Sequence, residues 1–165
     1  MTEKKYIMDG ETAVKKLQRL AYEILENNPG EQQIILAGIR ESGTVIATYI
    51  QQYLREISNL YTELVTIYLD KRLPQKVTID REIGYDNKVI IIIDDVANSG
   101  KVMMHAIKPF LDYNPKKIQT LVLVDRTHKA FPVHPDYVGL SVATTIQEHI
   151  FVEVEGNKVK GAWME

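Results

Sequence analysis

The sequence predicts an α/β protein, with a mostly parallel central sheet, helices on both faces and a small C-terminal hood of short strands. Three observations predict it. Helical and strand patterns alternate along the chain, and alternation of that kind builds parallel sheets. The run from Lys88 to Ile93 is nearly all apolar and β-branched, as in a strand covered on both faces. The 165 residues are 45% hydrophobic and 25% charged, ordinary values for one folded domain spanning 1–165.

From Glu11 to Glu26, the residues Ala13, Val14, Leu17, Leu20, Ala21, Ile24 and Leu25 recur at helical spacing, and Asn27-Asn28-Pro29-Gly30 ends the pattern. Ile34 to Gly38 is a short apolar strand. A loop of Ile39, Arg40, Glu41, Ser42 and Gly43 follows, and helical spacing returns from Thr44 to Ile57. Leu64 to Leu69 reads as a second strand, and the polar stretch from Asp70 to Gly84, with Pro74, as a loop or flexible hairpin of the kind that forms lids. The strand at Lys88–Ile93 is expected to end at Asp94-Asp95.

Lys101 to Leu111 is expected to be helical, and Asn114-Pro115 breaks it. Ile118 to Val124 is a strand that ends in Asp125-Arg126. Beyond Phe131-Pro132, Val138–Val142, Ile150–Val154 and Val159–Trp163 are short strands, the last two joined by a turn at Glu155-Gly156-Asn157-Lys158.

Composition removes several function classes. Without cysteine there is no disulfide framework, thiolate zinc site or cysteine nucleophile, and a reducing cytoplasm fits best. No apolar run approaches membrane-spanning length, and the first residues are charged and polar, so no membrane partner is expected. A net charge of −2 lacks the basic excess that drives binding to a phosphate backbone. His105, His128, His134 and His149 lack metal-ligand spacing, and Met103-Met104 and Trp163 read as packing.

The segment richest in chemistry is the buried strand that runs into Asp94, Asp95, Val96, Ala97, Asn98, Ser99, Gly100, Lys101 and Val102. Two adjacent carboxylates at a strand tip need donors or a cation, which points to ribose hydroxyls and Mg²⁺. Asn98-Ser99-Gly100 offers uncrowded backbone N–H groups, and the following helix directs its positive end to the same place, so the loop suits a phosphate. The competing reading is structural: short acidic turns often cap helices.

This run resembles the PRPP-binding motif of the type I phosphoribosyltransferases, an apolar strand followed by Asp-Asp, two variable residues and Thr-Gly-basic-Thr (PRPP, 5-phosphoribosyl-1-pyrophosphate). The resemblance extends to one branch, the pyrimidine operon attenuation regulator that is also a uracil phosphoribosyltransferase. Ile7-Met8-Asp9, Arg19 to Glu23, Leu36 to Arg40, Thr66-Ile67-Tyr68, Leu123 to Lys129 and Pro132 to Gly139 carry it.

The resemblance implies a type I phosphoribosyltransferase fold and transfer of ribose 5-phosphate from PRPP to a nucleobase, expected to be uracil, with Mg²⁺ as the cofactor. By carry-over Asp94 and Asp95 hold the ribose hydroxyls, directly or through Mg²⁺. Residues Ala97 to Lys101 wrap the 5-phosphate, flanked by Val96 and Val102 within the PRPP-binding set, and Ile39, Arg40, Glu41, Ser42 and Gly43 form the pyrophosphate loop. Lys71 and Arg72 close over pyrophosphate, although solvated loop charges are the commoner reading of such a pair. Asp125 and Arg126 lie near the base, with a turn cap as the structural alternative. A homodimer or tetramer is expected by analogy, and RNA binding ranks below catalysis because the branch's tail cations are thinned here.

Two sites in these motifs depart from the pattern. Val102 stands where the family has a second Thr, a lost hydrogen bond worth roughly 1.5–3 kcal/mol. Glu41-Ser42 stands where the branch has Thr-Arg, which sets an anion beside a polyanionic ligand. The alternative they leave open is a weakly active or inactive regulator that senses PRPP or a uridine nucleotide.

Overall fold

A computed structural model describes residues 3–165. In chain order its elements are β1 (Lys5–Asp9), α1 (Gly10–Asn27), β2 (Gln33–Ile39), α2 (Ser42–Ile57), β3 (Tyr61–Tyr68), β4 (Thr78–Ile79), β5 (Val89–Ala97), α3 (Lys101–Ile107), β6 (Lys117–Arg126), β7 (Tyr137–Val142), β8 (Ile150–Glu155) and β9 (Lys158–Met164). Six strands form the main sheet in the order β4-β3-β2-β5-β6-β7, parallel except for the short β4. A second, antiparallel sheet has the order β1-β9-β8.

The alternation of side chains along β5 explains the layering. Val89, Ile91 and Ile93 join the core beneath α1 and α2, whereas Ile90 and Ile92 join the core beneath α3. Each is fully buried, so this one strand serves both faces, as its unbroken apolar run requires. α1 is anchored at its start by Asp9, whose carboxylate accepts the Thr12 N–H at 2.7 Å. No helix among the described residues is long and apolar enough to cross a membrane.

The structure differs from the sequence reading at several places. β5 does not stop at the acidic pair: it pairs with β6 through Asp94↔Val122, Val96↔Val124 and Ala97↔Asp125, because a central strand keeps its ladder whatever its side chains. α3 ends at Ile107, and the stretch Lys108–Asp112 tightens into a 3₁₀ turn, since Pro109 has no N–H to continue the helical ladder. β7 extends the main sheet beside β6 and does not belong to the hood. The hood instead takes its third strand from the other end of the chain, where β1 pairs with β9 from Lys5↔Met164 to Asp9↔Gly161. Met103 fills the core as expected, but Met104 faces outward. Trp163 stacks on Phe151 of the hood, ring centroids 4.4 Å apart.

Candidate active site

Because β2, β3, β5 and β6 run parallel, their carboxyl ends open on one edge of the sheet, where ligands of such sheets gather. Asp94 and Asp95 project from β5 at that edge. Asp94 is buried, and its carboxylate accepts the Asp95 N–H at 2.9 Å and the Lys71 ammonium at 3.1 and 3.2 Å. Asp95 accepts the Val96 N–H at 2.8 Å and lies 3.5 Å from the same ammonium. Burial, and then the charge of Asp95, push the Asp94 carboxyl well above the usual carboxylate range, with Lys71 opposing them only in part. Burial alone would lower the Lys71 ammonium, but the two carboxylates outweigh it and raise it. Asp94 and Lys71 therefore each hold a proton more firmly than they would in water.

Beside this cluster a small cavity is lined by Lys71, Asp94 and the run from Val96 to Met103. Gly100 turns the loop with φ 91°, in the left-handed region. A Cβ there would lie 3.2 Å from the carbonyl oxygens of both Phe131 and Val133, so glycine is needed for shape as well as torsion. The Ser99 hydroxyl accepts the Lys101 N–H at 3.3 Å. α3 has seven residues, so its dipole is weaker than the sequence suggested. Capacity for an anion rests on the N–H groups of the loop itself. Val102 packs half-buried against the core and offers no donor.

The loop from Ile39 to Gly43 is shorter than the sequence suggested, since α2 already starts at Ser42. Ile39 is buried at the end of β2, the Arg40 N–H donates to Ile67 O at 3.0 Å, and the Arg40–Glu41 peptide is cis. A Cβ on Gly43 would lie 2.6 Å from Ile93 O and 3.3 Å from Asp94 Oδ1, which sets this loop directly against the acidic pair. The Glu41 side chain is 83% exposed and meets Arg40 only loosely, at 3.8 Å. Arg40 also lies over the Tyr68 ring, 5.6 Å from its centroid.

Of the two lid cations, Lys71 reaches the carboxylates, whereas Arg72 is exposed and gives its backbone N–H to Asp70 at 2.9 Å. Asp125 and Arg126 end β6 alongside Ala97 and the loop. Arg126 donates from Nη1 to Asn98 Oδ1 at 3.3 Å, from Nε to Thr144 Oγ1 at 2.8 Å and from Nη2 to Thr145 O at 3.1 Å, so it joins the loop to the segment leading into the hood. Asp125 is paired with Lys129 at 2.5 Å. Sequence reasoning missed the inward turn of Lys129, although a Lys four residues after an Asp that ends a strand was a visible signal.

Among the described residues no group of three or more His, Asp or Glu could hold a metal ion. The Asp94-Asp95 pair still fits Mg²⁺: it offers hard oxygen donors, and Mg²⁺ commonly takes one or two carboxylates and completes its shell with ligand oxygens and water.

A family described as the phosphoribosyl transferase domain matches residues 4–156. The chain is similar to the bifunctional protein PyrR of Clostridium acetobutylicum, 36% identical over 166 residues that cover 94% of this chain and 93% of the relative. It is also similar to that of Streptococcus thermophilus, 35% identical over 161 residues covering 93% of each chain. Among solved structures, the hypoxanthine phosphoribosyltransferase of Trypanosoma cruzi superposes with a TM-score of 0.73 at 14% identity, covering 84% of this chain and 81% of that one. A hypoxanthine-guanine phosphoribosyltransferase of Bacillus anthracis gives 0.70 at 20% identity, covering 87% and 85%. These structures share the type I phosphoribosyltransferase fold. The chain belongs to the phosphoribosyltransferase family.

Proposed function

We propose that this protein, as one domain over 1–165, transfers ribose 5-phosphate from PRPP to uracil, giving uridine 5′-monophosphate and pyrophosphate. The observation that carries this reading is the convergence at one sheet edge of the acidic pair, the Ala97–Lys101 loop, the Gly43 loop and Lys71. The uracil preference rests on the sequence likeness around Asp125-Arg126 and Pro132–Gly139.

In the reaction the C1′–oxygen bond to pyrophosphate breaks, a bond from C1′ to the base nitrogen forms, and that nitrogen's proton leaves. The sugar passes through an oxocarbenium-like state, so the protein's tasks are to hold two anions and steady the ring. Asp94 and Asp95 take the ribose hydroxyls, as hydrogen-bond acceptors beside developing positive charge. The Ala97–Lys101 loop encloses the 5-phosphate with its N–H groups, with Val96 and Val102 at its two ends. Mg²⁺ held by Asp94 and Asp95, directly or through water, supplies charge neutralisation for the pyrophosphate when bound. Residues Ile39 to Gly43 border the pyrophosphate, with Arg40 free to turn toward it, and Asp125 and Arg126 face the base.

Lys71 acts in two positions. It neutralises the acidic pair where it stands, and once the ribose hydroxyls take up the carboxylates it is released, with Arg72, to close over pyrophosphate. The outward turn of Glu41 removes the main electrostatic objection to catalysis. The reading of a non-catalytic sensor draws on Val102, which supplies no hydroxyl to the phosphate.

The test is nucleotide formation from PRPP, Mg²⁺ and each of uracil, hypoxanthine and guanine, read by mass, with Asp95→Asn as control. Many turnovers to uridine 5′-monophosphate, lost in the variant, uphold the proposal. Folded protein that binds uridine 5′-monophosphate but makes none supports the sensor.

A further inference from the structure

The segment after β6 grips the candidate phosphate loop from outside. The Lys129 side chain is 5% exposed. Its ammonium donates to Asp125 Oδ1 at 2.5 Å, to Asn98 O at 2.9 Å and to Arg126 O. An ammonium has three N–H groups, and all three are used. The next two backbone N–H groups, of Ala130 and Phe131, both donate to Ser99 O at 3.0 Å, and Arg126 holds Asn98 Oδ1. Four donors from one short stretch thus fix two consecutive residues of the loop. Only Lys129 also binds the carboxylate of Asp125. Its charge is turned inward and so is withheld from any external polyanion.

We propose that Lys129 is a positioning residue, which fixes the interval between the base-side carboxylate of Asp125 and the phosphate-side loop at Asn98. This rests on the function proposed above and deepens it: the brace sets the span of a nucleoside 5′-monophosphate, so base and phosphate reinforce each other's binding. A salt link confined to stabilising the fold would have no such effect, because both ligand ends would weaken together when it was cut.

Two measurements on the whole chain test this. In ligand-free protein, hydrogen exchange at the amides of Ala97 to Lys101 in Lys129→Met should speed up about ten-fold, the scale of one lost charge-assisted bond, with Ile90 to Ile93 unchanged. Unchanged exchange at the loop overturns the brace. If Lys129→Met does not fold, Lys129→Gln, which keeps two donors, replaces it in the same comparison. In calorimetry the wild type should prefer uridine 5′-monophosphate to ribose 5-phosphate. Lys129→Met should cut that preference about ten-fold, and Lys129→Arg should restore it. Equal weakening of both ligands, or no change in the preference, overturns the positioning role. If the wild type binds neither ligand the function proposed above falls, and the exchange measurement still decides whether the brace exists.

Discussion

Asp94 concentrates the conflict between stability and function in this molecule. Its carboxyl is raised above its usual 3.8 by burial and by Asp95, so the folded state binds the proton more tightly than the unfolded chain. The stability this contributes is complete below pH 3.8 and is lost as pH rises through the raised folded value. Ligand-free Asp94→Asn should therefore be more stable than wild type near neutral pH, by about 0.5–2 kcal/mol, while losing activity. Denaturant unfolding at acid and neutral pH checks the sign, because the advantage of the variant should shrink in acid. A second expectation concerns Glu41. Since its side chain points to solvent, Glu41→Ala should change kcat/KM for PRPP by less than about three-fold, a surface-sized effect on the scale of ±0.5 kcal/mol. At this scale the sequence was informative about identity and silent about direction. It marked Asp94, Asp95 and Glu41, but the outward turn of Glu41 and the capture of Lys71 depend on packing between segments far apart in the chain.

Among the elements, the phosphate loop and the lid can each be tested through one residue. Gly100 combines a positive φ with two carbonyl oxygens where a side chain would start. Gly100→Ala should cost about 1–3 kcal/mol of stability and weaken binding of uridine 5′-monophosphate, measured by denaturant unfolding and calorimetry on the same preparation. The lid segment returns to the core at Tyr85, which is fully buried against Phe110 and Tyr113 and donates its hydroxyl to Arg81 O at 2.5 Å. Burial, then the charge of Tyr113, push its phenol up to about 12. Tyr85→Ala should cost about 3–5 kcal/mol, the range for removing a large buried ring. The first two helices were legible because each carries its own periodicity, and the core strands because an unbroken apolar run fits burial on both faces, as Ile90 and Ile91 show by facing opposite layers. The continuation of β5 through its acidic pair and the place of β7 were not. Both are decided by the ladder with β6, which no local pattern encodes.

For the whole molecule, family likeness in the sequence leads us to expect a homodimer or tetramer, so light scattering should return two or four times 18.9 kDa. A net charge of −2 and the inward turn of Lys129 favour a small-molecule ligand over RNA. The pairing of β1 with β9 joins Lys5 to Met164. β9 is the middle strand of its sheet, with β1 and β8 on either side. During synthesis β1 emerges before β9 and lacks its partner until β9 has been made, after every strand of the main sheet. The main sheet, whose strands from β2 to β7 lie between them, can form in that interval, since domains can begin to fold as they emerge. The hood then closes last, through the slowest kind of contact, between residues far apart in sequence. Until β9 has emerged, β1 is an unpaired edge open to strands of other nascent chains.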